Sequence, residues 1–133
     1  MRKIALALAT GAALTAGVAV EAKPRPSGEE QLAKILEGRV AGEPVNCISL
    51  SQARDQRVID KTAIVYGSGR TIYVNRPANA RDLDDDDIMV SNIHGSQVCS
   101  LDVVRMHDRT GHFYSGFVGL EKFVPYRRVA SAD

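Results

Sequence analysis

The side chains of this 133-residue chain that could do chemistry gather in an acidic run and a histidine-flanked turn. Asp82, Asp84 and Asp86 stand at the 1, 3, 5 spacing with which an EF-hand loop presents carboxylates to calcium. The rest of that loop is missing. Asp87 occupies position 6, where glycine makes the sharp turn, and Ile93 occupies position 12, where a bidentate glutamate belongs. A looser calcium site rests on charge alone, because the five carboxylates between Asp82 and Asp87 repel one another without a cation. The plainer reading is a solvated loop.

His107 and His112 bracket Asp108-Arg109-Thr110-Gly111. If these four residues form a hairpin loop with Gly111 in the positive-φ position, the two imidazoles face each other. Their Cβ atoms would then lie about 5 Å apart, within reach of one Zn²⁺. A third ligand would be His94 or Asp108, and nothing in the spacing brings either to the other two. The alternative is a pair of exposed histidines that repel weakly below about pH 6.5. His94 and Ser96 are i, i+2 neighbours and would share a strand face, but no G-x-S-x-G elbow surrounds Ser96. Asp60 and Asp102 are the acid–base candidates. Asp102 has apolar neighbours, and burial without a partner would raise its pKa. Hydrogen bonds to Arg57, Arg76 or Arg105 would make either carboxylate structural instead. No P-loop, dinucleotide fingerprint or haem motif occurs.

The compartment decides how the two cysteines, Cys47 and Cys99, are read. Met1-Arg2-Lys3 is a short basic start, and Ile4 to Val20 is uncharged and rich in Ala and Leu. Val20-Glu21-Ala22 offers small residues at −3 and −1, which predicts a signal peptide over residues 1–22 cleaved before Lys23. An uncleaved anchor is the competing reading, disfavoured because the run falls short of the roughly 20 strongly apolar residues a span needs. Losing Arg2, Lys3 and Glu21 takes 17 basic and 16 acidic side chains to 15 of each. A neutral chain with 5% aromatic residues and no Trp has neither the basic excess nor the stacking surface for nucleic acid. Export to the periplasm or beyond is oxidising, so an even pair of cysteines outside any C-x-x-C reads as a disulfide.

The elements that must position these residues begin with a helix. Ser27 and Glu30 form a capping box, Leu32, Ile35 and Leu36 share one face, and Gly38 fits the C′ position. From Val45 the pattern is β: Cys47–Leu50, Arg57–Asp60, Ala63–Tyr66, Thr71–Val74, Ile88–Ile93, Val98–Met106 as one long strand, and Phe113–Val118. Gly67-Ser68-Gly69 joins Ala63–Tyr66 to Thr71–Val74 as a hairpin, and both faces of that pair are apolar. Phe123–Tyr126 reads as a last edge segment. The expectation is one α+β domain over residues 29–126, mainly antiparallel β, a small barrel or sandwich with one short N-terminal helix. Residues 23–28 precede it as a flexible segment and residues 127–133 follow as a loose tail.

Pro44-Val45-Asn46-Cys47-Ile48, Arg57-Val58-Ile59-Asp60, Tyr73-Val74-Asn75-Arg76, Ser96-Gln97-Val98-Cys99-Ser100-Leu101-Asp102 and Gly119-Leu120-Glu121-Lys122-Phe123-Val124-Pro125-Tyr126 together carry a resemblance. The chain resembles, from about Leu32 to Tyr126, an uncharacterised domain-of-unknown-function family of small secreted proteins from Gram-negative bacteria. Members of that family often have two further cysteines, near the positions of Ala80 and Val118 here. Their joint loss implies that Cys47–Cys99 is the surviving bridge. The resemblance implies a periplasmic, disulfide-stapled β domain and supplies no activity.

The leading functional expectation is a secreted, non-catalytic binding or envelope-accessory module, with no cofactor, no lasting membrane anchor and a protein partner in the envelope. The second is a small metal-dependent or acid–base hydrolase drawing on His94, His107, His112 or Asp102. The third is a calcium-responsive module acting through Asp82, Asp84 and Asp86.

Overall fold

The computed structural model describes residues 11–14 and 16–130. Positions 1–10 and 15 of the expected leader and positions 131–133 of the expected tail lie outside the described residues. The remaining leader residues and the segment up to Ser27 are exposed and carry no regular structure. Among the described residues, no helix is long and apolar enough to cross a membrane.

Helix α1 (Gly28–Ile35) forms where the capping box predicts it. Ser27 Oγ accepts from the Glu30 amide at 3.2 Å, and the Glu30 carboxylate accepts from the Ser27 amide at 2.7 Å. Leu36 is the C-cap, so Gly38, with φ 71°, falls one position later than expected and turns the chain into β1. Gly28 is required by close approach: a Cβ there would lie 2.6 Å from the Asp60 carbonyl oxygen. The helix start is thereby seated on the turn after β3.

The strands are β1 (Arg39–Ala41), β2 (Cys47–Ser49), β3 (Gln56–Ile59), β4 (Ala63–Tyr66), β5 (Thr71–Asn75), β6 (Asp87–Ser91), β7 (Gln97–Cys99), β8 (Val103–Asp108), β9 (Tyr114–Gly119) and β10 (Phe123–Arg128). All pairings are antiparallel, in a five-stranded sheet β1-β10-β5-β4-β3, a three-stranded sheet β6-β8-β9 and a two-stranded sheet β2-β7. No barrel closes; the layers form a sandwich. Period-2 alternation explains how the central sheet is covered on both sides. Ala63, Val65, Ile72 and Val74 pack with Leu32 beneath α1, while Ile64, Tyr66 and Phe123 pack with Val98, Val104, Met106 and Val118 from the smaller sheets. Cys47 and Cys99 are bonded and lie directly opposite each other across β2–β7.

Three expectations are corrected. The long strand Val98–Met106 is two strands in different sheets, broken at Leu101, which has φ 74° and is 84% exposed. Tertiary bonds make the break: the Leu101 amide donates to the Leu120 carbonyl at 2.8 Å, and the Leu120 amide to the Asp102 carbonyl at 2.9 Å. Phe123–Tyr126 is no edge, since β10 lies between β1 and β5. Its pairing also runs through Arg127 and Arg128, where Arg128 faces Arg39, so the strand claims the start of the expected loose tail.

Two asparagines act as short substitute strands. Asn75 donates to the Glu121 carbonyl at 2.6 Å and accepts from the Glu121 amide at 3.0 Å, holding the approach to β10. Asn79 does the same on the outer edge of β9, donating to the Phe117 carbonyl at 2.8 Å and accepting from the Gly119 amide at 3.2 Å. Ala80 and Val118 both pack into the main core beside this Asn79 junction.

Candidate binding face

The three-stranded sheet presents one face to the core and one to solvent. Met89, Val104, Met106 and Val118 point inward. Alternation then puts Ile88 and Val90 of β6, Val103, Arg105 and His107 of β8, and Tyr114 and Phe117 toward solvent. The register sets these side chains in rows: Val90 opposite Arg105 opposite Phe117, and Ile88 opposite His107 opposite Tyr114. His107 is half-buried and the others are exposed, Tyr114 by 56% and Phe117 by 53%. The rings of His107 and Tyr114 meet edge to face with centroids 5.9 Å apart. A surface of this kind, with Arg105 and His107 on its central strand and Tyr114 and Phe117 along one edge, has the composition of an interaction site.

The histidines do not converge. His107 faces Tyr114 rather than His112, because the register shifts between Met106 and His107. The turn is also longer than four residues. The Asp108 amide donates to the Phe113 carbonyl, and the His112 amide to the Asp108 carbonyl, both at 2.9 Å. His112 itself takes the positive-φ position, at 57°, in place of Gly111. Asp108 Oδ1 accepts from the Thr110 and Gly111 amides and serves the turn. His94 and Ser96 are both exposed in the loop between β6 and β7, outside any strand. Among the described residues, no group of three potential ligands includes a histidine.

The acidic run is likewise dispersed. Leu83, fully buried, pins its middle, and the Leu83 carbonyl accepts from the Lys61 amide at 3.0 Å. Asp82 accepts from the Asn79 amide group, Asp84 accepts from the Asp86 backbone amide, and Asp87 accepts from Ser115 Oγ at 2.5 Å. The carboxylates that do approach one another are Asp60, Asp84 and Asp85, with oxygens within 4.8 Å. Asp60 arrives from the β3–β4 turn, a participant the sequence spacing could not signal. Arg25 forms an ion pair with Asp85 at this group, which supplies a counter-charge from the chain itself.

Asp102 is half-buried and accepts from the Cys99 amide at 2.8 Å, so its partner is backbone and not Arg57, Arg76 or Arg105. It caps the turn that separates β7 from β8. Arg76 instead clamps Glu29 of α1 at 2.6 and 3.2 Å, and these bonds hold the exposed Glu29 carboxyl below its usual range. Burial, with a smaller push from the charge of Asp102, raises the Tyr66 phenol well above its ordinary value. A groove of about 470 Å³ opens between the β3 and β6 edges, with Val58 and Met89 at its sides and Arg57 and Arg109 among its polar lining. No family model matches this chain, and no curated protein or solved structure matches it either.

Sequence reasoning located β6 and β9, ran β8 together with β7 as one long strand, and did not set the three strands side by side. Tyr114 and Phe117 became candidates only with the register, because the bulge between β8 and β9 breaks their alternation. The available signal was that Ile88-Met89-Val90 and Val103-Val104 are apolar at consecutive positions, so Ile88, Val90 and Val103 lie on the face opposite the core residues Met89 and Val104.

Proposed function

We propose that this chain is an exported binding module of the bacterial envelope, a member of the secreted family it resembles, which works through the outer face of its three-stranded sheet. The observation that carries the reading is the pair of cross-strand rows, Val90–Arg105–Phe117 and Ile88–His107–Tyr114, on the solvent side of the three-stranded sheet, whereas both faces of the five-stranded sheet are packed. Tyr, Phe and Arg are the side chains that anchor protein interfaces, because each combines large contact area with a directional group. Arg105 is set between two apolar neighbours, which suits a partner surface offering a carboxylate within an aliphatic or aromatic surround. The disulfide is consistent with an oxidising compartment and fits export. The groups proposed for hydrolysis are occupied separately, Asp102 in a turn cap and His107 against Tyr114.

Affinity purification from the periplasmic fraction tests this reading. Wild-type protein should retain a defined protein partner that Phe117→Asp loses, while Lys34→Asp, on the helix at the far side of the central sheet, retains it. Equal recovery by all three proteins would contradict the assignment of the face.

A further inference from the structure

An edge strand exposes a row of unpaired backbone groups, and folded chains blunt such edges with charge, Pro, short length or a side-chain plug. This molecule blunts most of its edges. On β9, the Asn79 side chain occupies the Phe117 carbonyl and the Gly119 amide. On β2, Gln52 Oε1 accepts from the Ser49 amide at 2.8 Å. Strand β1 has only three residues, and β3 places Arg57 on its edge. Strand β6 has one charge, Asp87 at its first position, and none of these devices along Ile88–Ser91. Its sequence Asp87-Ile88-Met89-Val90-Ser91 holds neither Lys nor Pro. Among the described residues, no backbone group from Ile88 to Ser91 bonds to anything except β8.

We infer that β6 pairs with β6 of a second copy of this chain, antiparallel about Met89, joining two three-stranded sheets into one of six strands. The register follows from the side chains. With the two-fold axis at Met89, Ile88 stands opposite the second copy's Val90 and Val90 opposite its Ile88, so both outward apolar residues gain an apolar cross-strand partner. Charge selects the direction. A parallel pairing would lay Asp84–Asp87 of one copy beside Asp84–Asp87 of the other, whereas the antiparallel pairing lays them beside Ser91–His94, which carry no negative charge. Isologous pairing uses the same edge on both copies and therefore closes, leaving no free β6 for a third. The contact is small, which places it in the weak class of interfaces, and it makes the exposed faces of the two copies continuous. It stands independently of the proposed function, since it needs no other partner.

Sedimentation of the purified protein from about 1 to about 200 µM reads the association, over the concentrations where weak interfaces become populated. The expected result is a monomer that converts to a dimer and goes no further. Val90→Lys should weaken association at least roughly tenfold, the effect of one edge charge worth about 1.4 kcal/mol. Val103→Lys, on the same face but in the central strand, should leave it within about twofold. A second measurement fixes the register without relying on those variants: a mixture of Ile88→Cys and Val90→Cys proteins should form a mixed disulfide dimer, and neither alone should. A monomer at every concentration, species larger than a dimer, equal loss with both lysines, or cross-linking of either cysteine protein alone would each overturn the inference.

Discussion

Asn75 and Asn79 make the same pair of backbone hydrogen bonds in different surroundings, which turns a general rule about burial into a measurable contrast. Asn75 is 0% exposed and, among the described residues, is the sole side-chain partner of the Glu121 amide and carbonyl. Asn75→Leu keeps the approximate volume but leaves both backbone groups without a partner at a part-buried junction. Each lost neutral bond is worth about 1 kcal/mol net, and each orphaned group adds a desolvation penalty of about 1 kcal/mol or more. The expected loss is therefore about 3–4 kcal/mol. For a folded body near 100 residues that is a fall in Tm of roughly 12–20 °C. Asn79 is only half-buried, and water can replace its amide at the β9 edge, so Asn79→Ala should cost about 1 kcal/mol or less. Urea unfolding with a common m-value gives both numbers. A loss below about 1 kcal/mol for Asn75→Leu, or equal losses at the two sites, would refute the argument that burial decides the cost.

Reducing Cys47–Cys99 frees a separation of 52 residues and should destabilise by about 4 kcal/mol from loop-closure entropy, read as a drop in Tm of more than about 10 °C; an unchanged midpoint refutes the staple. The raised pKa of the buried Tyr66 phenol means that its contribution is complete below the unfolded value of about 10 and is lost as pH rises from there toward the folded value, by at most about 1.4 kcal/mol per pH unit. Tyr66→Phe should flatten the fall in stability above pH 10 relative to wild type, and parallel pH curves would contradict it. Because Arg25 already offsets the charge of the Asp60, Asp84 and Asp85 group, millimolar Ca²⁺ should leave the thermal midpoint unchanged. A clear rise reversed by EDTA would show that a cation outcompetes Arg25.

Local signals in the sequence were enough wherever a few neighbouring residues determine the conformation. Ser27 and Glu30 bond only within their own turn, and Gly67 and Gly69 supply the positive φ of the β4–β5 connection, so α1 and that hairpin were legible. The two-sided burial of Ala63–Tyr66 was visible in its unbroken apolar run. The break at Leu101 was not, because it is stabilised by Leu120, which is near only in the folded chain. Phe123–Tyr126 read as an edge, yet β10 is internal, and it accommodates Pro125 where the β1 pairing ends, the Gly42 amide bonding to the Pro125 carbonyl. The acidic and histidine motifs misdirected for a related reason. Spacing along the chain encodes proximity only inside a regular element, and Asp82–Asp86 and Asp108–His112 are irregular. The uncovered face was written in ordinary strand residues and emerged only from the register of β6, β8 and β9.

On the proposed function, those residues meet a partner. Photo-cross-linking in intact cells tests it most directly, with the reactive side chain placed in turn at Val90, Val103 and Phe117 on the face and at Lys34 and Glu37 near the helix. The three face positions should capture the same protein, and the two helix positions should not. Adducts of one partner from both sets, or none from the face, would contradict it.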